Sequence, residues 1–339
     1  MILYVSFAPY SFFYYLCETL ENNSVNQQKQ REKMLPLVSV IIPNYNHAPY
    51  LKERIDSVLA QTYKEFEVMI LDDCSTDNSK EIIENYRNNK HISQIIFNEK
   101  NTGNTFIQWN NGISIAKGKY IWIAESDDVA KPTFLERLVT ELEKHPEAAF
   151  AFSHSHMIDQ DSRVLEHDFN PGIQTGEAIL WESRKFSINK MLKFNYVQNA
   201  SMAIFRTDLY PQIDSSYQNY RYCGDWAFWM YMAQKGKIIE VCEKLNFFRQ
   251  HPNKVTNKSM SDGRRWRNQG PILKSFISLL KLNKWQERCL RGRWARRLKH
   301  SELNNEQREE MRQLTPEIFG GNELDIICYE IGKLFGFLK

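Results

Sequence analysis

The 339-residue chain has no cysteine pair at metal-ligand or redox spacing; Cys17, Cys74, Cys223, Cys242, Cys289 and Cys328 are scattered. That excludes a zinc module and a disulfide scaffold, and fits reduced thiols in a cytoplasm. Glycine-rich phosphate loops are missing as well: neither G-x-G-x-x-G nor G-x-x-x-x-G-K-[ST] occurs. Charge of one sign is not in excess, because 44 Lys and Arg against 41 Asp and Glu leave a formal net charge of +3. A balance so near zero implies no polyanionic partner for the molecule as a whole. Internal repeats and low-complexity tracts are also missing. The apolar, aromatic opening MILYVSFAPYSFFYYLC is short for a membrane span and has neither the basic start nor the small-residue cleavage site of a secretory signal. Residues 1–35 therefore read as a poorly structured leader or upstream extension, with a membrane-touching anchor as the alternative.

What is present is an alternation. LVSVIIPN, FEVMILDD, ISQIIFNE, KYIWIAESDD and AAFAFSHSHMID are short apolar runs, each stopped by polar or turn residues, and helical stretches of 3.6-residue period separate them. The pattern predicts an α/β fold with a doubly wound, mostly parallel central sheet flanked by helices. Beyond about residue 160 the alternation weakens, and from Gly263 the chain reads as a helical, basic C-terminal extension.

Ligands of open parallel sheets bind at the carboxyl ends of the strands. Here those ends carry Pro43, Asn44, Tyr45 and Asn46, then Asp72 and Asp73, then Asp127 and Asp128. Helix capping and turn formation account for one of Asp72 and Asp73. Asp127 and Asp128 precede the next helix by too much for capping to need both, and adjacent carboxylates raise each other's cost of ionisation. A hard divalent cation, Mn²⁺ or Mg²⁺, would meet them and share a nucleotide diphosphate as its other ligand.

VSVIIPNYNHAPYLKERIDSVLAQTYKEFEVMILDDCSTDNS, followed by NTGN and GKYIWIAESDD, resembles the family 2 glycosyltransferases of GT-A fold, from Val38 to Asp128 in order and spacing. The resemblance implies an inverting enzyme that moves a sugar from a nucleotide diphosphate sugar, a UDP-sugar by preference, to an acceptor hydroxyl in bacterial surface-polysaccharide assembly. It assigns Pro43, Asn44, Tyr45, Asn46 and Asp73 to the base and ribose. Ser126, Asp127 and Asp128 correspond to the Asp-X-Asp-type motif, with Asp128 the firmer metal ligand and Asp127 on the ribose or the metal. Glu125 and Ser126 are left without a role.

The second half resembles the family more loosely. CGDWAFWMYMAQKG matches its catalytic-base segment at Asp225, for which helix capping is the alternative, and Trp226 would offer a stacking face to the acceptor. FFRQHPNKVT resembles its Arg-X-His segment, which makes Arg249 a diphosphate contact and His251 a further metal ligand. His154 and His156 lack a third ligand and read as pocket lining or packing. The organisation expected is a nucleotide-sugar-binding half at 36–155, an acceptor-binding half at 156–262 and the basic helices at 263–339. Of these, residues 263–300 suit an anionic membrane surface, which makes the enzyme cytoplasmic and peripheral; its acceptor would be a saccharide, lipid-linked in one version, and nucleic acid is not expected. The competing readings are a nucleotide-sugar-binding protein without catalysis and a membrane adaptor.

Overall fold

The computed structural model describes residues 37–166, 174–251 and 262–338; the expected leader lies outside them. Strands β1 (Val38–Asn44) and β2 (Phe66–Asp72) are buried along almost their whole length, as continuous apolar runs require when both faces are covered. Their side chains alternate between two cores. Val38, Val40 and Ile42 join a core with Leu51, Ile55 and Val58 of α1 (Ala48–Leu59) and with α4 (Phe134–Lys144), while Ile41 faces the other. That second core holds Phe106, Trp109 and Ile113 of α3 (Thr105–Ile115) and nearly all of α6 (Gly224–Met232).

β3 (Ile92–Phe97), β4 (Tyr120–Ile123), β5 (Val129–Ala130), β6 (Ala148–Ile158), β7 (Ala178–Trp181), β8 (Ala203–Arg206) and β9 (Lys237–Arg249) complete a nine-stranded sheet. The order is β3-β2-β1-β4-β8-β6-β9-β5, with β7 also on β9. β3, β2, β1 and β4 are parallel neighbours, and β6 is parallel to β9. β8 runs against both β4 and β6, and β5 and β7 run against β9. Parallel pairing thus describes the first half, and the second half is mixed. β1 lies between β2 and β4, so the strand order reverses there and opens a crevice at the carboxyl ends of β1 and β4. Gly118 admits β4 to that position: a Cβ on it would stand 2.5 Å from the Ser39 nitrogen.

α2 (Ser79–Glu84) follows β2, and Asp77 accepts from the Ser79 and Ala48 amides, which ties the turn before it to the start of α1. After α5 (Ser183–Phe186), the C-terminal region is helical: α7 (Arg264–Leu279), α8 (Lys284–Lys299), α9 (Asn305–Leu314), α10 (Pro316–Phe319) and α11 (Glu323–Leu334). Asn283, Asn304 and Asn322 begin α8, α9 and α11 with reciprocal capping boxes. Trp266, Phe276 and Trp294 pack into the same core as α6, so these helices extend that core. Among the described residues no helix is long and apolar enough to cross a membrane.

Candidate active site

The tip of β1 turns through Asn46, held at a left-handed φ of 53°. Asn44 donates its side-chain amide to Asp72 at 2.7 Å, and Asp72 accepts from the Ser75 amide at 2.9 Å, so both are spent on the loop. Asp73, 5% exposed, accepts from Asn98, from Gln108 and from the amide and hydroxyl of Thr102, at 2.8 to 3.0 Å. A carboxylate with this many protein donors anchors the NTGN loop, a structural task that the expected ribose contact did not include. Pro43 is buried within β1 beside Leu71. Of the expected nucleotide group, Tyr45 is the most open, 46% exposed at the crevice.

At the tip of β4 the two aspartates part company. Asp128 is fully buried: Arg249 donates its amide at 3.0 Å, Asn199 donates its side-chain amide, and the Arg54 guanidinium lies 3.9 Å away. Asp127 instead meets His251 Nε2 at 3.2 Å, and His47 joins them, so that one ligand atom from each of His47, Asp127 and His251 lies within 4.8 Å of the others. Asp128, expected as the firmer ligand, points into the protein, and Asp127 points toward two imidazoles. His47 went unsuspected although it stands in the quoted PNYNHAPY; nothing local marks it, and only the fold brings it beside β9. A small donor set of two imidazoles and a carboxylate fits Mn²⁺ better than Mg²⁺. His251 Nδ1 is buried with no hydrogen-bond partner among the described residues, and Ser126 fixes His47 through a 2.8 Å contact to Nδ1.

Arg249 is not a diphosphate contact. It is 1% exposed and its guanidinium donates to the Asp127 carbonyl at 2.7 Å, the Asp159 carbonyl at 3.0 Å, Ser162 at 2.9 Å and Glu53 at 2.6 Å, over the Tyr50 ring. It braces the Asp127 backbone. Arg54 braces the same tip from below, donating Nε to the Glu125 carbonyl at 2.8 Å beside Trp122; burial lowers its pKa to about 10 despite Asp128. Removing it strands Asp128 without its counter-charge. Arg54→Met is expected to cost about 3–5 kcal/mol in chemical denaturation. Glu125 accepts from Trp109 Nε1 at 2.9 Å, and burial with the charges of Asp127 and Asp128 pushes its carboxyl up to about 8.

Asp225 stands in the first turn of α6, after Cys223 at a left-handed φ of 65°. Gly224 is needed there, since a Cβ would meet Phe106 at 2.4 Å and the Tyr217 carbonyl at 2.5 Å. Burial raises the Asp225 pKa above the usual carboxylate range, opposed by Arg265, by helix amides and by Asn195, which donates to it at 2.7 Å. Asn195 touches Asp225 and Asn199 touches Asp128, and four residues of chain span at most about 14 Å. The fold therefore gathers Asp225 and the β4 tip into one region. Trp226 is taken out of the acceptor surface: it is 1% exposed, donates to the Met191 carbonyl at 2.8 Å and packs on Phe276 and Trp294. His154, 1% exposed, donates to Glu240 at 2.9 Å, and His156 stacks on Phe247.

Comparison with known proteins bears on the family and the fold. The model of glycosyl transferase family 2 matches residues 39–210. An uncharacterized glycosyltransferase of Haemophilus influenzae is 30% identical over 225 residues, 66% of this chain and 68% of the relative. The putative teichuronic acid biosynthesis glycosyltransferase TuaG of Bacillus subtilis is 34% identical over 131 residues, 39% of this chain and 51% of TuaG. Among solved structures, S. aureus TarS in complex with UDP superposes with a TM-score of 0.52 at 18% identity, covering 88% of this chain and 91% of that one; a complex of TarS with UDP-GlcNAc gives 0.52 at 16%, covering 88% and 92%. The sheet, its crevice and the family match together place the chain in the family 2 glycosyltransferases, with the GT-A fold.

Proposed function

We propose that the protein is a metal-dependent, inverting glycosyltransferase that moves a sugar from a nucleotide diphosphate sugar to an acceptor hydroxyl in surface-polysaccharide assembly. The observation that carries the reading is the pairing of a His47, Asp127 and His251 cluster with a half-buried carboxylate, Asp225, whose basicity desolvation raises. Tyr45 offers its ring to the base. His47, Asp127 and His251 would hold Mn²⁺, which when bound neutralises charge on the diphosphate leaving group. Asp225 takes the proton from the acceptor hydroxyl, and Asn195 keeps its carboxylate oriented. A single displacement then turns an α-linked donor into a β-linked product.

The test is release of UDP, GDP or TDP from a panel of nucleotide sugars, with Mn²⁺, with Mg²⁺ and with EDTA. UDP-GlcNAc is the first donor to try, as the ligand held by a TarS structure of the same fold. Mn²⁺-dependent release is expected; release unaffected by EDTA with every donor would overturn the metal assignment.

Association with an anionic membrane rests on a different feature. Leu324, Ile327, Ile331, Leu334 and Phe335 share one outward stripe of α11 and its end, with Leu334 84% and Phe335 80% exposed. Lys281, Lys284 and Trp285 stand exposed at the start of α8, where Trp285 contacts Phe337 and comes close to Gly332 on α11. Basic groups beside an apolar stripe suit an anionic bilayer, each adding about 1 kcal/mol of attraction. Flotation with phosphatidylglycerol vesicles should retain the protein, and Leu334→Ser with Phe335→Ser should release it. Equal retention on phosphatidylcholine alone would rule against the charge-assisted reading.

A further inference from the structure

The arginines of α7 and α8 divide into two sets. Arg264, Arg267, Arg288, Arg291 and Arg296 each meet a carboxylate: Asp262, Glu310, Asp325, again Asp325, and Glu330, at 2.5 to 3.0 Å. These charges are neutralised within the protein. Arg265, Arg293 and Arg297 have no such ion pair among the described residues, and they converge on the segment that supports the candidate base.

Arg293 and Arg297 both donate to the Lys193 carbonyl, at 3.1 and 3.5 Å. Two residues further on, Asn195 donates to Asp225, and a two-residue step spans at most about 7 Å. Arg265 stands close enough to lower the pKa values of both the Cys223 thiol and Asp225 against the rise that burial causes. The Nε atoms of Arg265 and Arg293 are buried without hydrogen-bond partners among the described residues. Aromatic faces hold the group in place: Arg297 lies 4.7 Å from the Trp294 ring centroid, and Arg293 donates to the Tyr329 hydroxyl at 2.8 Å. The cations also repel one another. Burial first, then Arg293 and Arg265, lowers the Arg297 pKa to about 10, and burial, Arg293 and Lys190 lower that of Lys193.

Asp225 offsets part of the charge of Arg265, which leaves Arg293 and Arg297 with an excess of positive charge that a further anion would relieve. Planar, weakly hydrated guanidinium groups with unspent donors match the oxygens of a phosphate. We propose that Arg265, Arg293 and Arg297 form a subsite for a phosphate group carried by the acceptor, beside Asp225. The acceptor class is then a phosphate-bearing saccharide or polyol, with the phosphate either within a phosphodiester chain or in a diphosphate link to a lipid. The proposal rests on the glycosyltransferase reading and on Asp225 as its base.

Calorimetry with the donor site saturated by UDP tests it. The probes are a glycerol phosphate oligomer, a disaccharide joined through diphosphate to a short prenyl chain, and the same disaccharide without phosphate. At least one phosphate-bearing probe should bind about tenfold or more tighter than the neutral one, equivalent to about 1.4 kcal/mol, and its affinity should fall as salt is raised. Which arm binds identifies the source of the phosphate. Arg293→Gln with Arg297→Gln should erase the preference, with thermal melting to report that the variant folds. If it does not fold, the wild-type preference and its salt dependence still decide. Equal binding of all three probes by the wild type, or a folded double variant with the preference intact, would overturn the subsite. Absence of nucleotide release from any donor would instead overturn the glycosyltransferase reading, while the binding measurement still reads the subsite.

Discussion

Asp225→Asn is expected to lower kcat by about two to four orders of magnitude, the usual contribution of a positioned general base, while UDP affinity stays at the wild-type value. Asparagine keeps the shape and can still meet Asn195, so the loss is one of proton acceptance. The wild-type rate should fall as pH drops through a pKa above the ordinary aspartate range, because burial raises it. The same shift sets a stability sign. A carboxyl whose folded pKa is raised stabilises the fold when protonated, and that contribution is lost as pH rises through the folded pKa. At pH 7 the ionised Asp225 is therefore a cost, and thermal melting of Asp225→Asn should show a midpoint equal to or above wild type. A variant that retains near-normal turnover would remove Asp225 from the chemistry.

The second large effect is a contrast between neighbours. Asp127→Asn should abolish Mn²⁺-stimulated nucleotide release and weaken Mn²⁺ binding measured by calorimetry, with little change in the denaturation midpoint, since Asp127 faces His47 and His251. Asp128→Asn should act on the fold: it removes the charge that Arg54, Asn199 and the Arg249 amide surround, and uncompensated buried charge costs about 3–5 kcal/mol. His47→Ala should resemble Asp127→Asn. Should Asp128→Asn lose Mn²⁺ binding at unchanged stability, the assignment of the two aspartates would have to be exchanged.

The sheet and its functional edge were legible in the chain because they rest on local patterns. A buried parallel strand needs a continuous apolar run, and a strand that ends at a crevice ends in polar residues; VSVIIPN and YIWIAESDD state both within a few positions. The Gly224-Asp225 pair was likewise visible, and the glycine has a steric reason in Phe106 and Tyr217. The family match over residues 39–210 follows the same stretch.

Local pattern could not decide where each side chain spends its hydrogen bonds, because those partners are distant in sequence. Asp73 looked like a ligand contact and is taken by Asn98, Thr102 and Gln108. Arg249 looked like a phosphate contact and is taken by carbonyls and Glu53. Trp226 looked like a stacking platform until α7 and α8 covered it. By itself the sequence determined the α/β alternation, the family and the polar strand ends that line the crevice, since periodicity and turn residues act over a few positions. The tertiary structure alone decided that Asp127 rather than Asp128 faces the histidines, that His47 joins His251, and that Arg265, Arg293 and Arg297 converge beside Asp225 with no close ion pair among the described residues. Each of these depends on which strands and helices become neighbours, and burial then makes every misplaced charge too costly to keep.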